Sequence, residues 1–230
     1  MRPQVKWLLT TLLAVLIVAP VAGQLPLGAE LESLLENGVG EPILLANDSV
    51  KQEINLTGEQ SDRVQKIVKE VSDKYRSELQ KAGGDRKKQL RMASEWMRET
   101  RERVHKALPD ILKPEQMKRL DQIQIQVNGI ASFKRPDVQK KLNLTEEQKV
   151  EIRKIGDHLK QEAAETFKEA AKAPLRKMPG AVQKVRELKE DATKKAIQTL
   201  TAEQKKTWKE ITGEKIDFKL ELPLRPGGRP

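Results

Sequence analysis

Apolar side chains recur at three- and four-residue intervals through most of the chain, and charged or polar residues fill the positions between. Val64, Ile67, Val68, Val71, Tyr75 and Leu79 form one stripe. Leu90, Ala93, Met97, Val104 and Leu108 form a second, with Trp96 beside it, and Met117, Leu120, Ile123 and Val127 a third. Val150, Ile152, Ile155, Leu159, Ala163 and Phe167 form a fourth, and Val185, Leu188, Ala192 and Ala196 a thinner fifth. A sixth runs from Thr201 through Trp208 and Ile211 to about Phe218. This period is that of an α-helix with one buried face. Gly83-Gly84, Pro109, Pro174 and Pro179-Gly180 fall between stripes, where they are expected to end helices. A turn as short as Gly83-Gly84 between two amphipathic helices implies an antiparallel hairpin. The pattern therefore predicts an all-α protein of elongated helical hairpins.

The stripes come in two sets. Val50 to Gln60 and Val138 to Gln148 keep Val, Asn, Leu, Thr, Glu and Gln in register at a separation of 145 − 57 = 88 positions. Shorter echoes, Leu112 to Gln116 and Leu200 to Gln204, follow their partners at 201 − 145 = 56 positions in both cases. Equal spacing is expected of an internal duplication. Each repeated stretch is a helix start: a threonine N-cap accepts from the backbone N–H three residues on, while the glutamine there reaches back to the cap's own N–H. Thr57 with Gln60, Thr145 with Gln148 and Thr201 with Gln204 fit this capping box. Lys113 has no hydroxyl to cap with, but Pro114 suits the first helical position and Glu115 the positive end of the helix dipole. Ser49 and Asp137 are expected to cap short turns that lead into the main motifs. The motif thus places helices, and Asn55-Leu56-Thr57 and Asn143-Leu144-Thr145 match the N-glycosylation pattern only as a by-product of it.

Leu56, Thr57, Gln60, Leu144, Thr145, Gln148, Leu200, Thr201 and Gln204, with Leu112 and Gln116 as a degenerate fourth copy, make a repeated Leu-Thr-x-x-Gln motif. In a basic, helix-rich, exported chain this resembles the Spy/CpxP-like proteins of the bacterial periplasm. The resemblance implies a bent helical hairpin with one motif near each end, and a role as an ATP-independent chaperone or in the envelope stress response. This chain carries two motif pairs where the family usually carries one. It therefore resembles a tandem-repeat variant, in which either a monomeric pseudo-dimer or a homodimer is expected in place of the family's paired subunits.

Residues 1–23 read as a cleaved signal peptide: Arg2 and Lys6 open it, Trp7 to Val18 is apolar apart from Thr10 and Thr11, and Val21-Ala22-Gly23 is a small-residue cleavage site. Pro20 and Gly23 end the segment before it reaches the roughly 20 residues of a membrane span, so membrane contact is expected only through this segment if uncleaved. The location expected is periplasmic or secreted. Residues 24–48 read as a tether with Ile43-Leu44-Leu45 as an apolar clip onto the first helix. Residues 49–130 and 131–218 are the two helical repeats, and 219–230, rich in Pro, Gly and Arg, a disordered tail.

Composition narrows the chemistry. Charged residues reach 34% and aromatics only 3%, a balance that suits thin layers of coiled-coil-like helices better than a thick core. With no cysteine, an exported chain must hold its fold by packing and capping alone. Net charge is +10, or 10 − 2 = +8 without Arg2 and Lys6, but acids interleave with the bases and aromatics for stacking are scarce, which argues against nucleic acid. His105 and His158 are the only histidines, and no thiol nucleophile, soft-metal site or nucleotide loop is present in the sequence. Glu102-x-x-His105 has the spacing of a bundle di-iron pair, but that site needs the pair twice, and Ile155 stands where His158 would need its glutamate. The expectation is a protein without cofactor or catalysis. The feature above background is the second stripe's helix, where Arg86, Lys87, Arg91, Arg98 and Arg101 lie among Met92, Trp96 and Met97. Such a basic, partly apolar face is expected to bind unfolded or envelope proteins weakly, since methionine suits promiscuous contact. A scaffold of the cell envelope, holding one defined partner, is the alternative.

Overall fold

A computed structural model describes residues 38–81, 85–172 and 178–217. Helices are the regular structure of these residues: α1 Glu41–Ala46, α2 Asp48–Glu53, α3 Gly58–Lys81, α4 Arg86–Ile111, α5 Pro114–Asn128, a 3-10 helix Gly129–Lys134, α6 Pro136–Leu142, α7 Glu146–Ala171, α8 Met178–Gln198 and α9 Ala202–Thr212. The protein is all-α. The signal segment, most of the tether, Gly83-Gly84, Pro174 and the tail lie outside the described residues.

Two compact units divide the chain. Unit one spans Gly40–Leu120 with residues 216–217, and unit two Asp121–Lys215 with residues 38–39. The division falls inside α5, ten residues before the boundary expected from the repeats, because Ile125 already belongs to the core of unit two.

Unit one is built on the α3–α4 hairpin. Lys74 pairs with Glu99 and Glu70 with Arg103, so residue numbers rise along α3 as they fall along α4 and the helices are antiparallel. Leu44 and Leu45 of α1 are buried, and α1 packs on α4 as well as α3. The apolar clip is therefore a helix, opened by Pro42 in its first turn. Asn47, rather than Ser49, caps α2, accepting from the backbone N–H of Ser49 and Val50. Pro109 does not end α4. It sits near the C-terminal end, where its missing N–H removes one hydrogen bond, and the helix continues to Ile111 with Leu112 N–H donating to the Leu108 carbonyl at 2.8 Å. The buried stripe of α4 runs Met92, Ala93, Trp96, Thr100, Val104, Leu108 and Ile111, while Met97 is 39% exposed. Ala93, Val104 and Leu108 thus lie in the expected stripe, and Trp96 takes the place expected for Met97.

Unit two has a continuous core. Ile125, Ile130, Phe133, Val138, Leu142, Leu144, Ile152, Leu159, Ala192, Ala196, Leu200 and Trp208 form one cluster, with Phe133 stacked on Trp208 at 4.4 Å between ring centroids. Residues 129–134 are a buried 3-10 helix; Gly129 supplies the positive φ of 55° that starts it. Val150 of α7 is 45% exposed and leaves the expected stripe, whereas Ile152 and Leu159 stay in it. Pro179 and Gly180 lie in the first turn of α8 rather than in a break before it. Asp137 lies in the first turn of α6, whose N-cap is Arg135, and α9 stops at Thr212 where Gly213 takes a φ of 63°. Asn128 pins the start of the described chain: its Oδ1 accepts from Val39 N–H at 2.6 Å and its Nδ2 donates to Val39 O at 3.2 Å.

Lys189 of half-buried α8 reaches the C-terminal turn of α5, donating from Nζ to the Val127 carbonyl at 2.8 Å. A cation is favoured there by the helix dipole, yet burial lowers the amine from its usual range to about 8. The unfolded chain then binds more protons than the folded one between pH 8 and the ordinary lysine value. Stability contributed by this residue accordingly rises with pH across that window and is flat below it. Lys189→Met is expected to show this in urea denaturation: its stability relative to the parent should fall as pH climbs from 8 to 10, and a constant difference would mean that Lys189 is not desolvated.

Candidate binding surface

The eleven motif residues meet in two sets that share one geometry. In unit one, Gln60 N–H donates to Thr57 Oγ1 at 3.2 Å and Thr57 N–H to Gln60 Oε1 at 3.0 Å, closing the capping box. Gln60 then pairs with Gln116 in both directions, Nε2 to Oε1 at 2.8 Å and Nε2 back to Oε1 at 3.1 Å. The remaining amide hydrogens go to backbone: Gln60 Nε2 to Ile111 O at 2.8 Å, and Gln116 Nε2 to Ile54 O at 3.0 Å and Asn55 O at 3.1 Å. Gln116 Oε1 also accepts from Lys113 N–H at 2.9 Å, half a capping box that survives without a hydroxyl.

Unit two repeats this. Gln148 and Gln204 pair at 2.7 and 2.9 Å, and both reach backbone, Gln148 at Thr199 O and Gln204 at Asn143 O. Both Thr145 and Thr201 carry full capping boxes. Asn55 and Asn143, whose carbonyls receive the amides, are the described non-glycine residues with positive φ, at 51° and 49°. Asparagine tolerates that region better than most side chains. Leu112, Leu144 and Leu200 are buried and Leu56 half-buried, sealing the pairs from below. The sequence shows the caps but not the pairing of glutamines; its signal was the common spacing of 56 positions.

The basic helix is less open than its composition suggested. Met92 and Trp96 are 4% and 7% exposed, inside unit one rather than on its face, because Trp96 and not Met97 points at α3. Arg91 lies 3.8 Å from Glu95, Arg98 2.9 Å from Glu102, and Arg103 2.5 Å from Glu70. Arg101 is half-buried against Gly40, where an added Cβ would come within 2.6 Å of its Nε. The side chains of Arg86 and Lys87 lie outside the described residues. Surface pairs of this kind contribute about 0.2–1 kcal/mol each, so their main effect is to neutralise the face. What stays available is Met97 within a lattice of paired charges.

Across the hairpin, Glu99 accepts from Lys74 Nζ at 2.7 Å and from Tyr75 Oη at 3.0 Å. The lysine hydrogen bond holds the Glu99 carboxyl below its usual range, and burial together with this carboxylate pushes the Tyr75 phenol up. Behind them Val71, Tyr75 and Trp96 form a small separate cluster. Trp96 Nε1 and Thr100 Oγ1, one turn apart, are buried there without a hydrogen-bond partner, a situation that costs about 1–3 kcal/mol per group. Neither residue pair stood out in sequence as a polar pair. The histidines are separate: His105 Nδ1 lies 2.9 Å from Glu41 and His158 Nδ1 3.0 Å from Glu162, while Glu102 is taken by Arg98. Among the described residues no three His, Cys, Asp or Glu side chains gather as a metal site, and no helix of theirs is long and apolar enough to cross a membrane.

A reciprocal amide pair is expected to show coupling. Gln60→Leu and Gln116→Leu should each lower unfolding free energy by about 2 kcal/mol, since each strands its partner's amide. The double variant should cost less than the sum by a coupling on the order of 0.5–3 kcal/mol. Urea denaturation of the four chains measures this, and strict additivity would mean that the pair is not formed.

No family model matches this chain, and neither a curated protein nor a solved structure does.

Proposed function

We propose that the chain is an exported, non-enzymatic chaperone of two duplicated Spy-like units, holding unfolded or envelope proteins by weak, broad contact and without ATP. One observation carries the reading: the Leu-Thr-x-x-Gln residues are consumed in fixing helix ends, with both glutamine amides bonded at every position. The motif that supports the resemblance therefore acts as scaffold, and recognition falls to the long helix faces it positions. Charge on those faces supports the same reading, because alternating, mutually paired ions keep a helix soluble while committing it to no single ligand. With two histidines and no cysteine in the sequence, acid–base and thiol chemistry have few residues to work with, so binding and not turnover is the activity proposed.

A scaffold holding one defined envelope partner is the second reading, favoured by the capping boxes and amide pairs that make the helix starts rigid. The two differ in selectivity. A chaperone should slow the aggregation of several unrelated unfolded proteins at near-stoichiometric ratios without nucleotide, as read by light scattering. Suppression confined to one client would favour the scaffold, and none at all would defeat the chaperone reading.

A further inference from the structure

Resting on that chaperone reading, we propose that its client surface is the inner face of the α3–α4 hairpin in unit one, centred on Trp96, and that the hairpin opens to take an extended apolar segment of an unfolded polypeptide.

The groups gathered there suit such a ligand better than they suit a closed core. Trp96 Nε1 and Thr100 Oγ1 are buried with no hydrogen-bond partner among the described residues. This is not how threonines elsewhere in these helices behave: Thr166, Thr193, Thr207 and Thr212 each donate to the carbonyl four residues back. An unfolded chain offers one carbonyl per residue, so a segment lying along α4 would give both donors the acceptors that the closed hairpin denies them. Met92 beside Trp96 adapts its shape to different side chains, and Met97, 39% exposed, offers a foothold before opening. Tyr and Trp are the residue types that dominate binding energy at interfaces.

The hairpin is also held lightly. Among the described residues Trp96 clusters with Val71 and Tyr75, a set as small as that of Ala163, Phe167, Ala181 and Val185 in unit two. The bridges that tie α3 to α4, Lys74 with Glu99 and Glu70 with Arg103, are partly exposed ion pairs, a class of interaction that holds weakly. With no cysteine anywhere in the chain, no covalent staple opposes opening. Regions with few buried apolar contacts are those that open at least cost.

A reversible strap across the hairpin tests this in the full chain. Because the protein has no cysteine, Glu70→Cys/Arg103→Cys can be joined selectively by a bis-maleimide with a disulfide in its spacer; the two positions are 46% and 41% exposed. Aggregation of guanidinium-unfolded citrate synthase on dilution into buffer without reductant, followed by light scattering, is the readout. The strapped protein is expected to suppress aggregation at least fivefold less well than the parent, and dithiothreitol, by cutting the spacer, to restore it. Should the first pair lose activity even after cutting, Lys74→Cys/Glu99→Cys places the same strap one turn away. A strapped protein as effective as the parent would overturn the proposed surface while leaving the chaperone reading intact. Absence of suppression by the parent itself would overturn both. Strapping that abolishes self-association instead of client binding would assign the face to a second copy of the chain and overturn the proposal.

Discussion

A pair of glutamine side chains decides how each unit of this protein is assembled. Long amphipathic helices with thin stripes can slide past one another at little cost, since one aliphatic contact is much like the next. A carboxamide is different: it is directional, and burying it without partners is unfavourable. Gln60 with Gln116 and Gln148 with Gln204 satisfy donors and acceptors only when two helix starts and the carbonyl of a third segment come together. In a chain without cysteine this polar fastening sets the register of the helices, and it does so in a network where each bond depends on the others.

The same fastening closes two different interiors. Unit two is sealed by the stacked rings of Phe133 and Trp208 over a continuous apolar cluster. Unit one keeps its indole on the hairpin, one turn from the Thr100 hydroxyl, and neither has a hydrogen-bond partner among the described residues. Similar glutamine pairs therefore close units whose interiors differ.

The helices, the threonine caps and the all-α class were legible because they depend on local chemistry: a threonine and a glutamine three apart, and a period of 3.6. What escaped depends on distant residues. The stripe of α4 was read through Met97 because Thr100, a polar residue, occupies a core position and breaks the apolar count; only contact with α3 shows that Trp96 faces inward. Gly129 permits a turn on sequence grounds, whereas the burial of Ile130 and Phe133 that commits residues 129–134 to the core depends on distant partners. The basic residues of α4 were visible as composition, but their neutralisation by Glu70, Glu95 and Glu102 became visible only with the hairpin folded. Equal spacing announced the glutamines as a set without saying that they touch.

Lys113 tells which part of the motif the fold can spare. At that helix start a lysine stands where the other three have threonine, and the box is halved, yet Gln116 makes every bond that Gln204 makes to the opposing glutamine and to the backbone. The cap serves one helix, whereas the amide serves three segments at once. Sequence drift should therefore treat them differently. Threonines can be lost singly, with a helix end slightly frayed, but a glutamine is free to change only when its partner changes with it. In lineages descended from this chain the two positions of each pair would be inherited as one character.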